Sequence, residues 1–175
     1  MIAATPTRRH DWEVAYAAFL AASNASDEHW ETVEEPAIME LQRRAPRPST
    51  SFSIPARNGQ VATFTFDPSD PDKWDCSGEQ FLEATRALKA QWQTYERDAP
   101  LVRAELNIDA ISKDSTDHLD ACSAAEDRLF ETPAPDLDAV RIKLELLWLD
   151  DREPCPGFNA LVLADVQRLT SQEGR

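Results

Sequence analysis

Glu131-Thr-Pro-Ala-Pro-Asp-Leu-Asp-Ala-Val-Arg-Ile-Lys-Leu-Glu-Leu-Leu-Trp148 ends one helical pattern and begins another. Pro133 and Pro135 lack an amide N–H and push the residues before them out of the helical region, so the upstream helix must stop near Phe130. Asp136 is placed to cap a new helix, and Asp138 suits its positive first turn. Val140, Leu144, Leu147 and Trp148 recur at helical spacing and define an apolar face. A short hinge between two striped helices predicts that they pack on each other as an antiparallel hairpin turning at Thr132–Asp136.

Upstream, Leu101, Ala104, Ile108, Ile111, Ser115, His118, Cys122, Ala125 and Leu129 follow a three-four spacing, a heptad-like seam softened in the middle by Ser115 and His118. Pro100 either opens this helix or kinks a continuous one. Before it, Ser77 and Gln80 have capping-box spacing, and Phe81, Leu82, Leu88, Trp92 and Tyr95 form a stripe. A first helix starts at Thr7 or Asp11, with Trp12, Tyr16, Phe19 and Leu20 on its apolar side and Pro36 at its end. A short helix through Ile38, Met39 and Leu41 follows. After a polar turn at 150–157, Phe158, Leu161, Val162, Ala164, Val166 and Leu169 give a last helix.

Residues 50–67 break the helical rhythm. Phe52 and Ile54 alternate with serines, and Ala62, Phe64 and Phe66 with threonines, around an Asn58-Gly59 turn signal. This predicts a β-hairpin, with Pro55 at an edge or at the strand's end. Two strands alone are marginal in water, so the phenylalanine face needs a cover, either a helix such as that carrying Trp12 and Tyr16 or a partner chain. The expected fold is mainly α: a single domain over 1–175, an antiparallel helical bundle with long coiled-coil-like helices and a small β-hairpin insertion at 50–67.

Four glycines against 12 prolines agree with helices joined by stiff connections. The formal charge of −14 argues against direct binding to nucleic-acid phosphates or an anionic membrane surface. No run approaches the roughly 18 apolar residues of a membrane span. Cys76, Cys122 and Cys155 are odd in number and widely spaced, which reads as reduced thiols of a cytoplasmic protein. The N-terminal residues lack the apolar core of a secretory signal.

Asp27, His29, Glu31 and Glu34 form one acidic cluster, and Asp114, Asp117, His118 and Asp120 another. On a helix Asp27, Glu31 and Glu34 share one side at a spacing that suits a divalent ion, but His29 points elsewhere and neither an H-E-x-x-H nor an E-x-x-H pair occurs, so an exposed acidic helix end and a polar notch in the seam are the expected roles. In the second, His118 hydrogen-bonds a neighbouring helix. No nucleophile elbow, phosphate loop or cysteine signature occurs. The expectation is therefore no catalytic residue, no cofactor and no metal. Arg43, Arg44, Arg47 and Arg57 form the clearest basic cluster of an acidic chain and flank the hairpin. With Phe52, Ile54, Phe64 and Phe66 they are the candidate partner-binding residues, and open strand edges add a route to a partner or a second copy.

Around Ala124-Ala-Glu-Asp-Arg-Leu-Phe-Glu-Thr-Pro-Ala-Pro-Asp-Leu-Asp-Ala-Val-Arg-Ile-Lys-Leu144 the chain resembles a loose group of small, uncharacterised helical proteins of alphaproteobacteria. They share the Thr-Pro-Ala-Pro-Asp-Leu hinge, a following Lys-Leu, an Asp-Trp-Glu-like first helix, here Asp11-Trp12-Glu13, and a final Asp-x-x-Arg-Leu pattern, here Asp165, Arg168 and Leu169. The resemblance covers about residues 120–148. It implies a bacterial helical protein and transfers no catalytic residue. The resulting expectation is a non-enzymatic helical protein-interaction module. The alternative is an acidic, nucleic-acid-mimicking inhibitor of a nucleic-acid-binding enzyme, of the phage anti-defence type, with its carboxylates in phosphate-like rows.

Overall fold

A computed structural model describes residues 6–56, 59–73, 75, 77–148 and 156–173. It is mainly helical, with one small two-stranded antiparallel hairpin. In chain order the elements are α1 (Pro6–His29), a π-helical turn (Trp30–Glu34), α2 (Glu35–Arg44), β1 (Ser51–Pro55), β2 (Val61–Thr65), α3 (Glu79–Glu105), α4 (Ile108–Glu131), α5 (Leu137–Trp148) and α6 (Pro156–Glu173). The chain divides into two compact units, one of 1–30 with 114–175 and one of 31–113.

Several boundaries depart from the sequence pattern. Pro36 does not end a helix but sits in the first turn of α2, where a missing N–H costs little. Ser77 does not cap α3. That place falls to Gly78 at φ 108°, whose carbonyl accepts from the amides of Phe81 and Leu82 at 3.1 and 3.2 Å. Pro100 lies inside α3. The true break comes at Asn107, with φ 56°, a left-handed conformation that asparagine tolerates better than most residues. The seam therefore changes phase there. Leu101 and Ala104 are exposed, whereas Ile108, Ile111, Ser115, His118, Cys122, Ala125 and Leu129 all lie on the buried or half-buried side of α4.

The first unit has a core of Trp12, Ala15 and Phe19 from α1, Leu129 and Phe130 from α4, Val140 and Leu147 from α5, and Val162 from α6. Phe130 stacks on Phe158 at 4.1 Å between ring centroids. The hinge falls where the prolines put it, and the Asp136 carboxylate accepts the Ala139 amide at 3.0 Å, capping α5. Asp136 is also paired with Arg9 at 2.5 Å. The pattern named α4 as the mate of α5, but α5 packs most extensively on α6. Its buried face is also rotated from the expected one. Leu144 and Trp148 are exposed, and Lys143 is fully buried between Val140 and Leu147.

The Lys143 ammonium has three donors and all three are satisfied. They go to the Phe130 carbonyl at 2.8 Å, the Thr132 carbonyl at 2.7 Å and Asp165 Oδ2 at 2.8 Å. Asp165 Oδ1 accepts from the Ala134 amide at 3.0 Å and from Arg168 at 2.9 Å, and Arg168 also donates to the Ala134 carbonyl. The Trp12 ring lies 5.3 Å from Nζ, within cation–π range. Burial holds the Lys143 pKa below its ordinary value of 10.5, with the hydrogen bond to Asp165 pulling the other way.

In the second unit the hairpin pairs Phe52 with Phe64 and Ile54 with Ala62. Phe66 extends the ladder by donating to the Thr50 carbonyl at 2.7 Å. One face of the ribbon is polar, with Ser53 and Thr63 hydrogen-bonded across the strands at 3.0 Å. The other packs on α3, where Phe52, Ile54 and Phe66 join Leu88 and Trp92 in one core. The cover is thus α3, and not the helix carrying Trp12 and Tyr16. Lys89 on α3 is paired with Asp72 and Asp75, which ties the acidic loop after β2 to the helix. Asn58 of the expected turn lies outside the described residues, and Gly59 has φ 79°.

Replacing Lys143 by Met is expected to destabilise the chain by about 3 kcal/mol in chemical denaturation, because Asp165 stays buried without its main cation. Adding Asp165→Leu to that variant recovers part of the loss, a non-additivity that independent contacts would not give. The native Lys143 pKa is depressed, so between that value and 10.5 the unfolded chain holds the extra proton. The stability contributed by this group therefore rises with pH across that window, and the wild-type advantage over Lys143→Met is expected to widen there.

Candidate functional site

Arg43 and Arg44 sit in the last turn of α2, where cations suit the helix dipole. The helix closes as the Ala45 amide donates to the Leu41 carbonyl at 2.8 Å, and Ala45 is buried against Ala99 and Val102 of α3. The next residues form a strap with no regular structure. Pro46 and Pro48 restrict its backbone. Its far end is fixed where the Trp92 indole donates to the Ser49 carbonyl at 3.0 Å. Arg47, between the two prolines, lies with its guanidinium 5.8 Å from the Trp92 ring centroid. Between strap and α3 runs a groove of about 630 Å³ floored by Gln91, Thr94, Tyr95 and Asp98. Tyr95 stands edge-on to Trp92 at 5.5 Å.

The cations differ in what they already hold. Arg43 makes a two-pronged pair with Glu40 at 2.7 and 2.6 Å, and that hydrogen bonding holds the Glu40 carboxyl below its usual range. Arg44 is paired with Glu105. Asp98 is likewise held below the usual carboxylate range by its hydrogen bonds from Arg97, at 2.7 and 2.9 Å. Arg47 has no carboxylate within ion-pair distance among the described residues. Among the described residues its charge is met by an aromatic face alone.

The structure separates the candidate partner-binding residues into two groups. Arg43, Arg44 and Arg47 are on the surface beside the groove. Phe52, Ile54 and Phe66 are at most 8% exposed and Phe64 is half-buried, so the phenylalanine face is core and not an open apolar patch. The reason is the matching stripe of Phe81, Leu88 and Trp92 on α3, which covers the inward face of a period-two ribbon. Arg57 lies outside the described residues.

A second polar constellation was legible only in halves. His29, at the end of α1, lies with Nε2 3.1 Å from the hydroxyl of Ser115 on α4. Its ring stacks on His118 at 4.7 Å between centroids and 29° between planes. His29, Asp114, Asp117 and His118 line a cavity of about 250 Å³. The hydrogen bond expected of His118 towards a neighbouring helix is thus made one turn earlier, by Ser115, and His118 contributes a ring face. Near-parallel imidazoles point their in-plane lone pairs side by side and not at a common point. Among the described residues no group of three His, Cys, Asp or Glu side chains is arranged to hold a metal ion. Glu31 and Glu34 fall in the π turn, whose wider spacing breaks the α-helical phase that would group them with Asp27.

Between 98 and 153 the carboxylates of Asp98, Glu105, Asp109, Asp136 and Glu145 are each paired with an arginine. No helix among the described residues is long and apolar enough to cross a membrane. Comparison of the chain with protein-family models, curated proteins and solved structures finds no match.

Trp92→Phe keeps an aromatic ring but a smaller one, removes the indole donor from the Ser49 carbonyl and weakens the seat of Arg47. It is expected to cost about 1 kcal/mol in denaturation and to speed amide exchange in the strap. A double-mutant cycle of His29→Ala and His118→Ala is expected to give a coupling of about 0.5 kcal/mol, the size of a stacked ring pair.

Proposed function

We propose that this chain is a non-enzymatic, mainly helical protein-interaction module of a bacterial cytoplasm, and that it engages its partner through the surface around Arg43, Arg44 and Arg47. The observation that carries this reading is Arg47, a cation seated on an aromatic ring at the mouth of a groove, without a carboxylate of its own among the described residues, in a chain with a net charge of −14. Complementary charge steers encounter and fixes orientation, so a basic surface on an acidic body selects one face for docking. A rigid scaffold beneath it favours binding, since little is left to order on association.

The cytoplasmic part of the reading draws support from Cys122, a half-buried cysteine that is not in a disulfide. An antiparallel bundle with a coiled-coil-like α4 is supported by the inward recurrence of Ile108, Ser115, Cys122 and Leu129 at sevenfold spacing. Self-association through the open edges of the ribbon is a second route within the same reading.

The test is charge reversal. The triple variant Arg43→Glu, Arg44→Glu, Arg47→Glu is expected to keep the helical circular dichroism of the wild type and to lose the proteins captured by wild type from the native host, identified by mass spectrometry. Unchanged capture by the triple variant would place docking elsewhere and remove this surface from the reading.

A further inference from the structure

We infer that the groove between the 45–49 strap and α3 binds a short, extended, acidic segment of a partner protein, with Arg47 as the carboxylate anchor. This rests on the interaction reading above and specifies the chemistry of the partner.

The groove is preformed. Its strap is held at Ala45 by packing against Ala99 and Val102 and at Ser49 by the Trp92 indole, with two prolines between. A wall fixed at both ends loses little conformational freedom when a ligand enters. Arg47 is prepared in the same way. Its guanidinium lies against Trp92, so part of its rotamer entropy is already lost, while the edges that donate to a carboxylate remain usable. Arg44, at the other end of the strap, pairs with Glu105, whose side chain is 61% exposed, so an incoming carboxylate can replace it.

The floor suits a peptide backbone. From Ala90 to Asp98 the lining follows one side of α3 over eight residues, about 12 Å at the helical rise. An extended chain advances about 3.3 Å per residue, so the groove takes about four residues. Gln91 offers both a donor and an acceptor, as an amide backbone requires. The Thr94 hydroxyl donates to the Ala90 carbonyl at 3.0 Å, which leaves its oxygen free to accept a peptide N–H. Asp98, the carboxylate of the floor, is held by both prongs of Arg97 and repels less than a bare carboxylate.

The occupant must carry few charges. A nucleic-acid strand would bring a phosphate at every step into the field of a chain of net charge −14. A segment with one or two carboxylates meets Arg47 and Arg44 locally and is otherwise neutral. A second copy of the chain would bring that whole acidic body with it.

The experiment is fluorescence anisotropy of a fluorescein-labelled Ala-Glu-Ala-Glu-Ala-Ala peptide against the full chain, with the same peptide carrying Gln for both Glu as the neutral probe. The acidic peptide is expected to bind and to weaken as salt is raised, and the neutral one to bind at least about tenfold more weakly. Arg47→Ala is expected to lower affinity about tenfold. Gln91→Glu, an exposed change that leaves the strap intact, is expected to do the same by charge in the floor. Glu105→Gln frees Arg44 and is expected to tighten binding by roughly threefold. Arg141→Ala removes the same charge from α5 and is expected to change nothing. Equal binding of the two peptides, an Arg47→Ala variant that binds as wild type does, or an equal loss in Arg141→Ala overturns the inference. So does inorganic phosphate displacing the peptide at equal concentration, which would mean a simple anion site. If the peptide fails while charge reversal still abolishes capture of host partners, the acidic segment is wrong and the interaction reading stands. If both fail, both fall.

Discussion

A fully buried ammonium has one stable solution: every donor must find an acceptor, and the charge must find a counterion. Lys143 meets both conditions, and much of the first unit is arranged so that it can. Two of its acceptors, the carbonyls of Phe130 and Thr132, come from the end of α4, where helical carbonyls have no partner within the helix. The third, Asp165, comes from α6. The aromatic face over the amine comes from α1. One side chain on α5 therefore caps one helix, ion-pairs with a second and meets a ring from a third. Displacing any of these elements would strand a buried charge, which costs several kcal/mol. Such a pair often adds no more to stability than well-packed apolar residues of the same volume would, whereas losing one partner alone is costly.

The same group gives a physical account of the sequence pattern around the hinge. Pro133 and Pro135 free the backbone of 132–136 from helical bonding, and Asp165 and Arg168 then take up the amide and carbonyl of Ala134 between them. The hinge, Lys143 and the Asp-x-x-Arg of the last helix are three parts of one polar cluster.

The second unit is held by different means. A ribbon with one apolar face is laid on α3, and the indole of Trp92 serves twice, packing among Phe52, Ile54 and Leu88 while its N–H holds the strap. The stability of the hairpin and the shape of the groove are thus joined through one residue. That arrangement fixes the groove wall, and it leaves Arg47 of the strap on the surface above a core built within the unit.

The sequence by itself determined the elements whose causes are local. The prolines at 133 and 135 stopped α4, Asp136 capped α5, and alternation marked β1 and β2, because dihedral limits, capping and strand period act over a few residues. It also marked the surface arginines, since a basic cluster in an acidic chain needs no tertiary knowledge. Tertiary structure decided the rest. Periodicity put Leu144 and Trp148 on the apolar face and gave Lys143 no place there, because a period carries no information about a carboxylate 22 residues away that can bury an amine. Asn107 gave no breaker signal as strong as Pro100, yet the chain broke there, since a left-handed residue is chosen by the packing on both sides. His29 and His118 stood in separate acidic clusters until α1 and α4 brought their rings together. The phenylalanines of the ribbon could be known to need a cover, but only the fold could supply α3 as that cover and so leave the arginines, without the phenylalanines, on the open face.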